Sequence, residues 1–112
     1  DGRVPHEDVV LARSVAEAAR ELGIEPLALD AETLAAAFEG TDGALSAIEA
    51  AHERANALGL GLLAARVRRR QVALLARLGL RERGETLRAL ALSWAQAEGA
   101  GAEAMRLERM GA

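Results

Sequence analysis

The sequence predicts an all-α domain made of antiparallel helical hairpins laid side by side in a stack. Three observations carry this. The first is self-similarity. Ala51, Ala55, Gly59 and Gly61 recur forty positions later as Ala91, Ala95, Gly99 and Gly101, and Ala44 is matched by Gly84. A fainter copy lies thirty-six positions upstream, where Ala19, Leu22, Gly23 and Ile24 align with Ala55, Leu58, Gly59 and Leu60. A period of roughly 20 to 50 residues in a helical pattern marks stacked units, none of which can bury its apolar face alone. The second observation is a single glycine after almost every apolar-periodic segment, where a helix ends most easily in the left-handed conformation. The third is the composition: apolar residues make up 51% of the chain, with alanine the commonest and leucine next. Both are strong helix formers, and no segment alternates like a strand between turn signals.

Pro5 suits the entry to a first helix, expected over His6 to Leu22, with Glu7 and Asp8 near its positive end. Gly23 stops it, and Pro26 cannot continue it. A second, shorter helix is expected from Ala31 to Glu39, with Asp30 as its N-cap and Gly40 as its terminator. Thr41 or Asp42 caps a third, Gly43 to Leu58, whose apolar face runs Leu45, Ile48, Ala51, His52, Ala55 and Leu58. A fourth is expected from Leu62 to Leu78, a fifth from Arg81 to Glu98 with Leu87, Leu90, Ala91 and Trp94 on one face, and a sixth from Ala102 to Met110. The fourth carries two apolar stripes, one of Leu63, Val67, Leu74 and Leu78, the other of Ala65, Val72 and Ala76. Two stripes imply neighbours on two sides, as an inner helix of a stack requires. Short connections make neighbouring helices antiparallel. The whole chain, 1–112, is read as one helical-repeat domain with hairpin units near 6–39, 43–78 and 81–110.

Composition excludes several kinds of chemistry. There is no Cys, so disulfides, thiolate metal sites and Cys nucleophiles are absent together. All fourteen basic residues are Arg, which GC-rich codon usage explains, and seventeen acids leave a net charge of −3. That balance argues against direct nucleic-acid binding and against an anionic membrane surface. No run of transmembrane length and no signal-peptide pattern occurs, so a cytoplasmic setting is expected. The chain begins at Asp1 rather than Met, which suggests a trimmed chain, a processed product or a piece of something longer.

The residues around the second and third hairpins resemble a tetratricopeptide-type repeat, in the longer-period version found in sensor regions of large bacterial transcription activators. Leu78-Gly79 matches the turn after the inner helix, Gly84 the first small position of the next helix, and Ala91 the second. Ala44 and Ala51 offer the same places one copy earlier. The family's early aromatic, its small residue midway along the inner helix (Val72 stands near there) and its closing Pro have no clear match. The resemblance implies a right-handed superhelical stack, no cofactor, no catalysis, and a protein- or peptide-binding role within a larger bacterial regulatory protein. The alternative role is a self-associating structural domain.

Arg66, Arg70 and Arg77 fall on one stripe of the fourth helix, at i, i+4 and i+11, with Arg69 flanking it. Lining a concave groove, they would hold an acidic, carboxylate-rich peptide, a C-terminal carboxylate or a phosphate by forked hydrogen bonds. The competing reading pairs them with Glu49, Glu53, Glu82 or Glu85, or leaves them solvated. Met105, Leu107 and Met110 form an incomplete apolar set, read either as the cap of the stack or as a surface for self-association. His6 beside Glu7 and Asp8 does not make a metal site, because adjacent residues on a helix do not converge on one ion. His52 is expected to be partly buried and hydrogen-bonded. Glu49 and Glu53 read as a solvated face rather than an acid–base pair, and Trp94 as a core anchor.

Overall fold

The computed structural model describes residues 6–97 and 99–110. Among these residues six helices follow one another: α1 His6–Glu21, α2 Glu25–Glu39, α3 Asp42–Ala57, α4 Gly61–Arg77, α5 Arg81–Ala97 and α6 Gly101–Met110. Among the described residues there is no strand. Pro5, the side chain of His6, and Glu98 as the expected end of the fifth helix lie outside the described residues.

Four of the five turns share one construction. Gly23, Gly59, Gly79 and Gly99 take φ of 73 to 78°, the left-handed region that a Cβ penalises. In each, the residue after glycine donates its N–H five residues back: Ile24 to Ala19 O at 2.8 Å, Leu60 to Ala55 O and Leu80 to Leu75 O at 2.9 Å, Ala100 to Ala95 O at 2.8 Å. This is the Schellman arrangement, which satisfies carbonyls that the helix end would otherwise orphan. The same residue's carbonyl then accepts the first bond of the next helix, as from Ala28 to Ile24 and from Ala64 to Leu60. One residue therefore closes one helix and opens another. The link from α2 to α3 differs: Gly40 closes α2 with a single bond to Ala36 O, and Thr41 caps α3 by accepting from the Ala44 N–H at 3.3 Å.

Five helices lie within one residue of their expected bounds, but α2 does not. It starts at Glu25 rather than Ala31, and Asp30 is a mid-helix residue rather than an N-cap. Pro26 is the reason. In the first turn its missing N–H has no intrahelical partner to lose, so proline opens this helix instead of breaking the chain.

Each helix packs on the one before it, and α4 also touches both α2 and α6. No odd-numbered helix touches another among the described residues, so α2, α4 and α6 form a contacting row and α1, α3 and α5 a separated one. α4 accordingly divides two cores. Val67 and Leu74, both fully buried, join Leu29 and Ala36 of α2 and Ile48 and Ala51 of α3, with Leu63 and Leu78 packed against them. Ala65 and Val72 join Ala91 and Ala95 of α5 and Ala104 and Leu107 of α6. Burying each Val or Leu stabilises the fold by about 1.5–3 kcal/mol. Ala76, expected on the second stripe, is exposed. Over that turn α5 presents Gly84, which has no side chain to cover it. Leu90 is exposed as well, because it faces the gap between α3 and α5.

Candidate functional site

α4 presents its arginines to the two helices that flank it in the contacting row. Arg70 reaches α2: its Nη1 donates to Asp30 Oδ1 at 2.5 Å, to the Asp30 carbonyl at 2.8 Å and to Thr33 Oγ1 at 2.8 Å. Thr33 is buried, and its hydroxyl donates to the Asp30 carbonyl at 3.0 Å. Burial pulls the Arg70 pKa below the ordinary arginine value, and the adjoining Asp30 carboxylate opposes the shift. Arg66 Nη1 takes the other Asp30 oxygen at 3.0 Å. Arg69 turns to α6, where its Nε donates to Glu103 Oε2 at 2.7 Å. Glu103 is only 7% exposed and also receives Arg106 at 3.0 Å, with Arg66 Nε at 3.8 Å. A buried carboxylate is tolerable only when paired this fully. Arg77 donates to the Ala37 carbonyl, one of the last four of α2 that have no helical partner. A cation is also favoured at that end of the helix dipole.

The four arginines singled out from sequence thus form one ladder whose acceptors belong to the chain itself. Those acceptors are Asp30, Thr33, Ala37 and Glu103, not the glutamates of α3 and α5. A second cluster does involve Glu49. Arg68 Nη1 donates to Glu49 Oε2 at 3.0 Å and to Gln71 Oε1 at 2.6 Å, and Gln71 Nε2 donates to Glu49 Oε2 at 2.6 Å. Chiefly through the Gln71 amide, this holds the Glu49 carboxyl below its ordinary pKa. Arg68 Nη2 lies 2.8 Å from His52 Nδ1. Because arginine only donates, Nδ1 is the unprotonated acceptor. Partial burial lowers the His52 pKa first, then the Arg68 charge, with Glu49 opposing. This histidine is half-buried and hydrogen-bonded, while Glu53 is exposed. Trp94 is half-buried against the second core and lines the cleft between α3 and α5.

A largely apolar, open groove lies elsewhere, between α1 and α2. Leu11 and Val15 of α1 stand opposite Leu27, Leu34 and Phe38 of α2 across a groove of about 420 Å³. Ala12 and Ala31 form its floor, and Asp8 and Asp30 line it too. Leu11 is 64% exposed, and Leu27 and Val15 are exposed as well. Sequence reasoning did not find this groove. Its signal is the series Leu27, Ala31, Leu34, Phe38 at i, i+4, i+7 and i+11, which spans a helix starting at Glu25 and is cut by one starting at Ala31. At the other end, Met105 and Met110 are exposed, whereas Leu107 is fully buried against α5. Among the described residues, no group of three or more His, Asp or Glu is placed to hold a metal ion, and no helix is long and apolar enough to cross a membrane.

Comparison with family models, curated proteins and solved structures found no match to this chain.

Proposed function

We propose that this chain is a non-catalytic, tetratricopeptide-like helical-repeat module that binds a protein or peptide through the α1–α2 groove. The carrying observation is the groove itself: five large apolar side chains from two helices flank an open channel, three of them exposed. Isolated exposed leucines are ordinary, but a contiguous concave set marks a place where something packs. The superhelical arrangement belongs to the same proposal. Clefts of about 410 and 310 Å³ separate the odd-numbered helices, while the even-numbered ones touch. A stack built so curves with α2, α4 and α6 on its inner side. The arginine ladder lies on that row, but its guanidinium groups already serve internal acceptors, so the groove carries the reading.

A displayed library of amphipathic helices tests it. Selection against the chain is expected to enrich sequences that lose tenfold or more in affinity when Leu34→Glu is introduced, about 1.4 kcal/mol. Circular dichroism of L34E should be unchanged, since Leu34 is only half-buried. Enrichment of no helix, or of helices indifferent to L34E, would refute it.

A further inference from the structure

We propose that the α1–α2 groove seats the α6 edge of a second copy of this chain, head to tail; the inference rests on the groove being a helix seat. Aligning the left-handed glycines Gly23, Gly59 and Gly99, whose turns share the same bond five residues back, lays α1 on α3 on α5 and α2 on α4 on α6. In that register Leu27, Leu34 and Phe38 fall on Leu63, Arg70 and Leu74. Ala12 and Val15 fall on Ile48 and Ala51. Leu63 and Leu74, with Ile48 and Ala51, make up the side of the first core into which α2 inserts Leu29 and Ala36. The groove is therefore the same seat one hairpin earlier.

The chain also carries the matching insert. Leu29 and Thr33, which α2 turns toward α3 and α4, align with Ala65 and Arg69, which α4 turns toward α5 and α6. Both pairs align with Met105 and Arg109 of α6. Among the described residues nothing covers these two: Met105 is 54% exposed and Arg109 is exposed too. One end holds an open seat and the other an unseated insert, in one register.

Charge agrees with the docking. Each filled seat is crossed by ion pairs, Asp30 with Arg66 and Arg70 in the first, Glu103 with Arg66 and Arg69 in the second. At the open seat Asp8 lines the groove beside exposed Glu7, and the α6 edge carries exposed Arg109, next to Arg106, which Glu103 already holds. Acid faces base. Because seat and insert are different surfaces, the contact is heterologous and repeats, so copies add in a string rather than closing as a symmetric pair.

Sedimentation velocity across a concentration series reads this directly. The wild-type chain is expected to sediment faster as concentration rises, beyond the dimer. L34E, which spoils the seat, and Met105→Glu, which spoils the insert, should each remain monomeric. Mixed in equal amounts, they should form dimers and stop there, because only one good seat and one good insert remain. A wild-type monomer at every concentration overturns the second copy, as does a dimer that M105E leaves intact. If library helices still select for Leu34 in a monomeric chain, the groove reading stands without this inference. If both experiments fail, the groove is not a helix seat.

Discussion

Replacing Arg70 by Met removes the most deeply set charge of the ladder, and its cost follows from the contacts. The guanidinium is 12% exposed and donates to a carboxylate oxygen, a backbone carbonyl and a hydroxyl. A hydrogen bond to a charged group contributes about 1.5–3 kcal/mol, and an orphaned buried ion costs about 3–5 kcal/mol. The upper figure is not reached here. Asp30 keeps Arg66 at 3.0 Å and is 27% exposed, so water and one cation still serve it. The Met stem also retains the apolar contacts. A loss of about 2–3 kcal/mol is expected, measured by urea unfolding with an unchanged slope. A double-mutant cycle with Asp30→Asn should show coupling of about 1 kcal/mol or more. That coupling should depend weakly on salt, since Arg70 is withdrawn from solvent. A loss below about 0.5 kcal/mol, or additive mutants, would show that the ladder merely decorates the α2–α4 contact.

Three further outcomes follow from local geometry. At Gly84 an added Cβ would lie 3.4 Å from Leu75 Cβ, so Gly84→Ala should be neutral or stabilising by up to about 1 kcal/mol, as the helix propensity gain is kept. Gly84→Leu should destabilise by roughly 2 kcal/mol through overpacking, and thermal unfolding of the pair separates the two effects. Gly59→Ala should cost about 1–2 kcal/mol from backbone conformation alone, since nothing lies within 4 Å. Gly40→Ala should cost about the same in the same denaturant assay, because the Arg77 Nη2 that its Cβ would meet at 2.8 Å ends an exposed, flexible side chain that can swing aside. His52 should titrate by NMR with a midpoint below its ordinary value near 6.5. The unfolded chain then binds the proton more readily than the folded one. Stability contributed by neutral His52 is therefore full above about pH 6.5 and is lost as pH falls toward the folded midpoint. A midpoint above 6.5 would contradict this assignment.

Helix ends were legible because a residue forced to positive φ is nearly always glycine, and each such glycine stands between two apolar-periodic segments. The two-sided character of α4 was legible for a similar reason, since Val67 and Leu74 lie on one side of a helix and Ala65 and Val72 on the other. The α2 start was not. Pro26 breaks a helix interior but opens a first turn, and composition does not say which position it holds. That one shift turned Asp30 from a presumed cap into the carboxylate that Arg66 and Arg70 share. It also hid Leu27, without which the groove face of α2 is incomplete. Glu103 pairs with Arg69 across 34 residues of chain, and no local pattern encodes a contact that only stacking creates. Leu107 reads as an edge residue on its own helix and becomes core only once α5 lies over it.

Residue-by-residue hydrogen exchange under native conditions tests the central claim, that the helices hold one another by lying in a row with α4 between two cores. Amides of α4 should exchange slowest, near the global unfolding free energy, with protection declining through α2 and α5 to the outer faces of α1 and α6. Uniform protection along the chain, or α4 opening before the helices on either side of it, would contradict the account.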